Sequence, residues 1–137
     1  MLGVRNYPQE YLDECRAKVE ADLAAYGKIS APAALESAFF NNMVIVLDRL
    51  FVHRLRTVEG KDGNALNEVR MLCDSLAEHG GKFQVDKTVK YELAKSVLGY
   101  EVGAPISLTQ ADFVRLSTAF FAEMERKFAS EMETASG

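Results

Sequence analysis

A chain of 137 residues, 48% hydrophobic and 26% charged with a formal net charge of −4, is long enough to bury a core as one domain without disulfides or a structural metal. That composition excludes disorder over most of the length, and the acidic balance disfavours non-specific binding to nucleic acid or to an anionic membrane surface. The opening MLGVRNYPQEYLDECRAK lacks the apolar core of a signal peptide, and the most apolar run, 39–55, is broken by Asn41, Asn42, Asp48, Arg49 and His53; no membrane span and a cytoplasmic location are expected.

The first helix is marked by Asn6 as a cap, Pro8 in the first turn, and Glu10, Asp13 and Glu14 near the positive end of the dipole. Leu12, Cys15, Val19, Leu23 and Tyr26 recur at helical spacing toward a core, and Gly27 closes the segment.

The second helix is expected to open with Ser30 as cap and Pro32 just inside, and to run to about Val58 as the spine of the fold. Phe40, Met43, Leu47, Leu50, Phe51 and Val58 form its main stripe. Ile45 and Val52 add apolar surface on the other side. Together with the aromatic-rich last helix they offer more apolar area than a monomer this small covers, which predicts a homodimer and leaves room for another protein partner.

Gly60 and Gly63 mark a tight connection with Asn64 as the next cap, so the second and third helices are expected to be antiparallel neighbours. The third helix presents Leu66, Val69, Cys73 and Leu76 and ends at Gly80-Gly81, with His79 in its last turn. From 82 to 108 the pattern changes: Phe83, Val85, Val89 and Tyr91 alternate with polar residues, and Gly99, Gly103 and Pro105 punctuate a second run, as in a β-hairpin or extended arm. The last helix opens with Thr109 and Asp112 at capping-box spacing and carries Phe113, Phe120, Phe121, Met124 and Phe128; the tail, 131–137, is expected to fray. The whole, 1–137, reads as one mainly α domain: an antiparallel four-helix bundle with a β-like excursion between the third and fourth helices.

Charges inside a hydrophobic stretch need a partner, a solvent path or a chemical role. A helical wheel puts Asn42, Arg49, His53 and Arg56 on one solvated stripe, but Arg54 in line with Met43, Leu47, Leu50 and Phe51, and Asp48 on the flank of that apolar face. If the connection pivots near Lys61, Arg54 faces the level of Glu68, and Asp48 that of Asp74, with Arg70 between them. The first reading is two register-locking ion pairs, Arg54 with Glu68 and Asp48 with Arg70. The second is an inter-helix pocket in which Asp48 is a catalytic base and Arg54, Glu68, Arg70 and Asp74 bind a small charged ligand.

Other chemistries lack their residues. No Glu-x-x-His pair suits a di-metal bundle, neither calcium-loop nor phosphate-loop spacing occurs, and Cys15 and Cys73 stand apart as buried structural thiols, so neither metal nor cofactor is expected. Between Arg49 and Lys95 nine basic residues face seven acidic ones, too even a balance for a nucleic-acid surface. A non-catalytic, self-associating interaction or structural protein is the leading expectation, and an enzyme or ligand-binding bundle centred on Asp48 the alternative.

Overall fold

The computed structural model describes residues 3–129, and the tail expected to fray lies outside them. Five α-helices carry the fold: α1 (Gln9–Tyr26), α2 (Ala33–Leu50), α3 (Arg56–Glu59), α4 (Ala65–Glu78) and α5 (Gln110–Phe128). Helix α5 packs against all four others, and α2 lies against α4. The side chains that close the centre are the ones the helical spacing selected: Leu12, Phe40, Leu47, Leu66, Val69, Phe113, Phe120 and Phe128 are all fully buried.

Two helix starts follow from their own residues. The Asn64 side chain accepts from the Leu66 and Asn67 amides, and Thr109 and Asp112 complete a reciprocal capping box. Two others differ from expectation. Helix α1 is entered at Pro8 rather than Asn6, and α2 at Pro32 rather than Ser30, neither with a side-chain cap, because proline presets the helical φ and has no N–H to satisfy.

The spine helix is shorter than expected. It stops at Leu50, and a separate single turn, α3, begins after five intervening residues. Its terminal carbonyls are taken by competing donors: Tyr11 Oη donates to the Leu50 oxygen at 2.6 Å, and the Arg54 backbone and side chain both donate to that of Phe51. The Phe51 ring locks the break by packing on Tyr7, Tyr11, Phe120 and Phe121. Beyond it, residues 53–55 pair with Val4, whose amide donates to the His53 oxygen and whose carbonyl accepts from Leu55. At the other end of this N-terminal strap the Tyr7 amide donates to the Phe128 carbonyl at 2.7 Å, tying the break in α2 to the end of α5.

The excursion at 82–108 is not a β-hairpin, and the described residues hold isolated bridges but no strand. Backbone pairing of the two limbs is confined, among the described residues, to the base, through Phe83 with Ala104 and Gly103, and Gly81 with Ile106, while Tyr91 Oη donates to the Tyr100 carbonyl at 2.6 Å farther out. Farther out the donors of the first limb are spent elsewhere: Gln84 N on Ser75 Oγ, Asp86 N on Met71 Sδ and Lys90 N on the Lys61 oxygen. Anchored to α4 and to the loop before it, the limb has no ladder left to offer its mate. A 3₁₀ turn at Leu93–Lys95 occupies the tip side.

Of the two apolar residues on the far side of the spine helix, Ile45 is half-buried against the core and Val52 is exposed. The most exposed aliphatics lie elsewhere: Val102 and Leu93 on the excursion, Ile29 in the connection between α1 and α2, Leu35 on α2 and Val114 on α5. No helix among the described residues is long and apolar enough to cross a membrane.

Candidate functional site

The break between α2 and α3 turns Arg54 into the interior, where its side chain has no solvent exposure. Nη2 donates to Asp48 Oδ1 at 2.9 Å and to the Leu66 carbonyl at 3.2 Å; Nε donates to Glu59 Oε1 at 2.9 Å, and Nη1 to the Phe51 carbonyl at 3.1 Å. The Phe120 ring lies 5.5 Å from the guanidinium carbon. One side chain thereby joins the end of α2, the α3 turn, the first turn of α4 and the middle of α5.

Glu59 is the second hub, 1% exposed. It accepts from Arg54, from Arg70 through Nε and Nη2, and from Asn67 Nδ2 at 2.7 Å. Its own carbonyl receives Lys127 Nζ from α5 and Asn64 Nδ2, both at 2.8 Å. Burial alone would push the Glu59 carboxyl up, but the Arg70 hydrogen bond and the charges of Arg54 and Arg70 outweigh it and hold the group below its ordinary value. Burial would likewise lower Arg70, and the Glu59 carboxylate keeps it above its ordinary value instead.

The sequence-derived pairs are therefore re-partnered. Asp48 and Arg54 do belong to one buried cluster with Arg70, but Arg54 bonds Asp48 and Glu59 rather than Glu68, and Arg70 bonds Glu59 rather than Asp48. Glu68 points to another neighbour: it accepts from Ser96 Oγ at 2.9 Å and from the amides of Val97 and Leu98 at 2.8 and 3.0 Å, and so holds the excursion down on α4. Asp74 is exposed at the edge of the cluster. Its carboxyl is raised, by partial burial first and then by the charges of Asp48 and Glu78. Next to it the Cys73 thiol is pushed up to about 11, chiefly by burial and then by Asp48 and Asp74, which makes it a poor nucleophile.

Glu59 and Asn67 are the members that sequence reasoning missed. Glu59 lies five residues after Arg54, and on one continuous helix that spacing separates side chains by about 140°. Carrying the helix to Val58 thus hid the partner that the break brings round.

At its buried atoms the cluster is paired within itself. Two guanidiniums meet two carboxylates, and among the described residues no buried side-chain nitrogen or oxygen is without a hydrogen-bond partner. Nor do three or more His, Cys, Asp or Glu side chains among them converge as a metal-ligand set. The surface grooves lie away from the cluster, and two of them have apolar linings. One of about 700 Å³ runs between α1 and α5 over Leu23, Val114 and Phe121, and is crossed by the Arg16–Glu125 ion pair at 2.9 Å. The other, of about 380 Å³, lies where α1 hands over to α2 and is lined by Tyr26, Ile29, Leu35, Phe39 and Met43, with Asp22 at its edge. No family model, curated protein or solved structure matches the chain.

Proposed function

We propose that this protein is a non-catalytic helical interaction module of the cytoplasm that works as a self-associated pair. The observation that carries the reading is the mutual pairing of Asp48, Arg54, Glu59 and Arg70, in which no fully buried side-chain nitrogen or oxygen lacks a partner. A base or a ligand-binding guanidinium must have a free lone pair or N–H directed at solvent or at a cavity, whereas these groups are turned toward one another. Their geometry suits a clamp, joining α2, α3 and α4 at one point and fixing how the helices meet. Exposed aliphatic side chains on the helical body support the second half of the reading, since surface apolar groups grouped around a groove are the usual material of an interface.

Two measurements test it. Sedimentation velocity of the full chain across micromolar concentrations should give the mass of a dimer, and a monomer throughout would refute self-association. Thermal unfolding against small carboxylates and phosphates should show no ligand-dependent rise. A rise that Asp48→Asn abolishes would replace this reading with the alternative, a charged-ligand site at Asp48 with Arg54 and Arg70.

A further inference from the structure

We infer that the seat of the N-terminal strap is a peptide-binding site closed in cis, which fits an extended partner segment of the pattern Gly-Val-x-x-Tyr that residues 3–7 themselves present. The inference gives the interaction half of the proposed function a surface and does not depend on self-association.

The backbone carries the first argument. The Val4 amide donates to the His53 carbonyl at 2.7 Å, the Val4 carbonyl accepts from the Leu55 amide at 2.8 Å, and the Tyr7 amide donates to the Phe128 carbonyl at 2.7 Å. Both contacts are parallel bridges, Val4 to Arg54 and Tyr7 to Ala129. Between them Arg5 and Asn6 are exposed, so the strap lies across the surface and is held at its two ends. Main-chain pairing of this kind supplies affinity for an extended segment, and side-chain pockets select which segment is taken.

Those pockets are the second argument. The Tyr7 ring stacks on Tyr11 at 5.6 Å, meets Phe51 edge-on at 4.9 Å and lies 5.9 Å from Phe128. The recess is built without it: Phe51 also meets Tyr11 at 5.5 Å, Phe120 at 5.8 Å and Phe121 at 6.1 Å, and Tyr11 Oη is held by the Leu50 carbonyl. Walls that pack on one another keep their shape when the guest leaves, as a preformed binding site does. At the other end the strap passes so close to the chain that a Cβ on Gly3 would lie 2.8 Å from Leu55 Cα. Glycine, a β-branched residue beside it and an aromatic three positions farther on are therefore what the seat reads.

Occupancy is felt in the interior. Val4 pairs on both sides of Arg54, whose side chain joins Asp48 and Glu59, so a segment in the seat also fixes the organiser of the buried cluster. A tethered segment acts at an effective concentration of the order of millimolar. The wild-type seat is thus closed to a weak free peptide, and truncating Tyr7 opens it.

The test uses the full chain carrying Tyr7→Ala and an end-capped synthetic peptide of residues 3–8, followed by thermal unfolding and amide NMR shifts. Expected is a lowered Tm for the variant, of which the peptide at about 5 mM, above the tethered value, restores at least half. The His53, Leu55 and Ala129 amides should move back toward their wild-type positions. The same peptide should leave the wild-type protein unchanged, and peptides carrying Gly3→Val or Tyr7→Ala should restore nothing. Tyr7→Leu, which loses the ring contacts and keeps an apolar side chain, carries the same titration where Tyr7→Ala does not fold. A destabilised variant that the peptide fails to restore overturns the inference and makes the strap an integral part of the fold. Equal restoration by the Tyr7→Ala peptide overturns it as well, and so does an unchanged Tm in both variants, since Tyr7 would then not fill the recess. All arms are run at one protein concentration, so their failure leaves self-association to its sedimentation test.

Discussion

Arg54 Nη2 donates to Asp48 Oδ1 at 2.9 Å from a side chain with no solvent exposure, so the two residues share a desolvated bond that neither can replace with water. Removing the cation strands the buried Asp48 carboxylate and leaves Glu59 with Arg70 and Asn67 alone. Arg54→Ala is expected to cost about 3–5 kcal/mol, which for a domain of this size lowers the melting temperature by roughly 10–20 °C. Denaturant unfolding checks it: a midpoint shift equivalent to under about 1 kcal/mol would mean that the cluster does not clamp the fold.

Glu68 holds a loop rather than a helix. Its carboxylate receives one hydroxyl and two amide hydrogens from residues 96–98. Glu68→Gln puts an amide N–H₂ where an acceptor is needed, with an expected loss of about 1–3 kcal/mol. Hydrogen exchange should localise it, with faster exchange at Val97 and Leu98 and unchanged protection in α5. Uniform acceleration through all helices would contradict the latch.

Acid should loosen the cluster through Glu59. Its folded pKa lies below the ordinary 4.5, so its contribution is fully present above that pH and is lost as pH falls through the folded value. Asp74 works the other way: its folded pKa is raised above 3.8, so ionising it costs the fold, and the cost is relieved on acidification. Glu59→Gln should flatten the acid limb of a stability–pH curve while lowering the neutral plateau. Asp74→Asn should raise that plateau, by no more than about 0.5 kcal/mol given how exposed the group is.

Two glycines with positive φ should respond unequally to alanine. Gly63 has φ +87°, and a Cβ there would run into the carbonyl of Lys90, where the excursion is tied to the α3–α4 connection. Gly80, at φ +63°, has open space around it. Gly80→Ala should cost about 1–2 kcal/mol from backbone conformation alone, and Gly63→Ala should exceed it by at least 1 kcal/mol from the added collision. Equal costs by thermal unfolding would show that the 61–63 and 90–91 segments separate freely.

Legibility in the sequence followed the range of the interaction. Asn64 and the Thr109–Asp112 box were readable because a cap and the amides it satisfies lie within three residues. The core faces of α1, α4 and α5 were readable because burial repeats with the helix period. The end of α2 was not: every residue to Val58 tolerates a helix, and what stops it is Tyr11 and Val4, about 40 and 50 residues away in the chain. The excursion was misread for the same cause, since alternation reports which side chains are covered and not which partner takes the backbone amides.

Local hydrogen bonding, helix period and the cost of burying charge already specify a mainly helical chain, its principal core residues, two of its helix caps and the need to neutralise Asp48 and Arg54 somewhere inside. Which partner neutralises each is set by long-range packing. Glu59 lies five residues beyond Arg54 and Glu68 fourteen, and the break at Leu50 turns Arg54 to Glu59 and leaves Glu68 to the 96–98 loop. That choice depends on distant groups competing for the same carbonyls and carboxylates, and only the folded chain sets those distances.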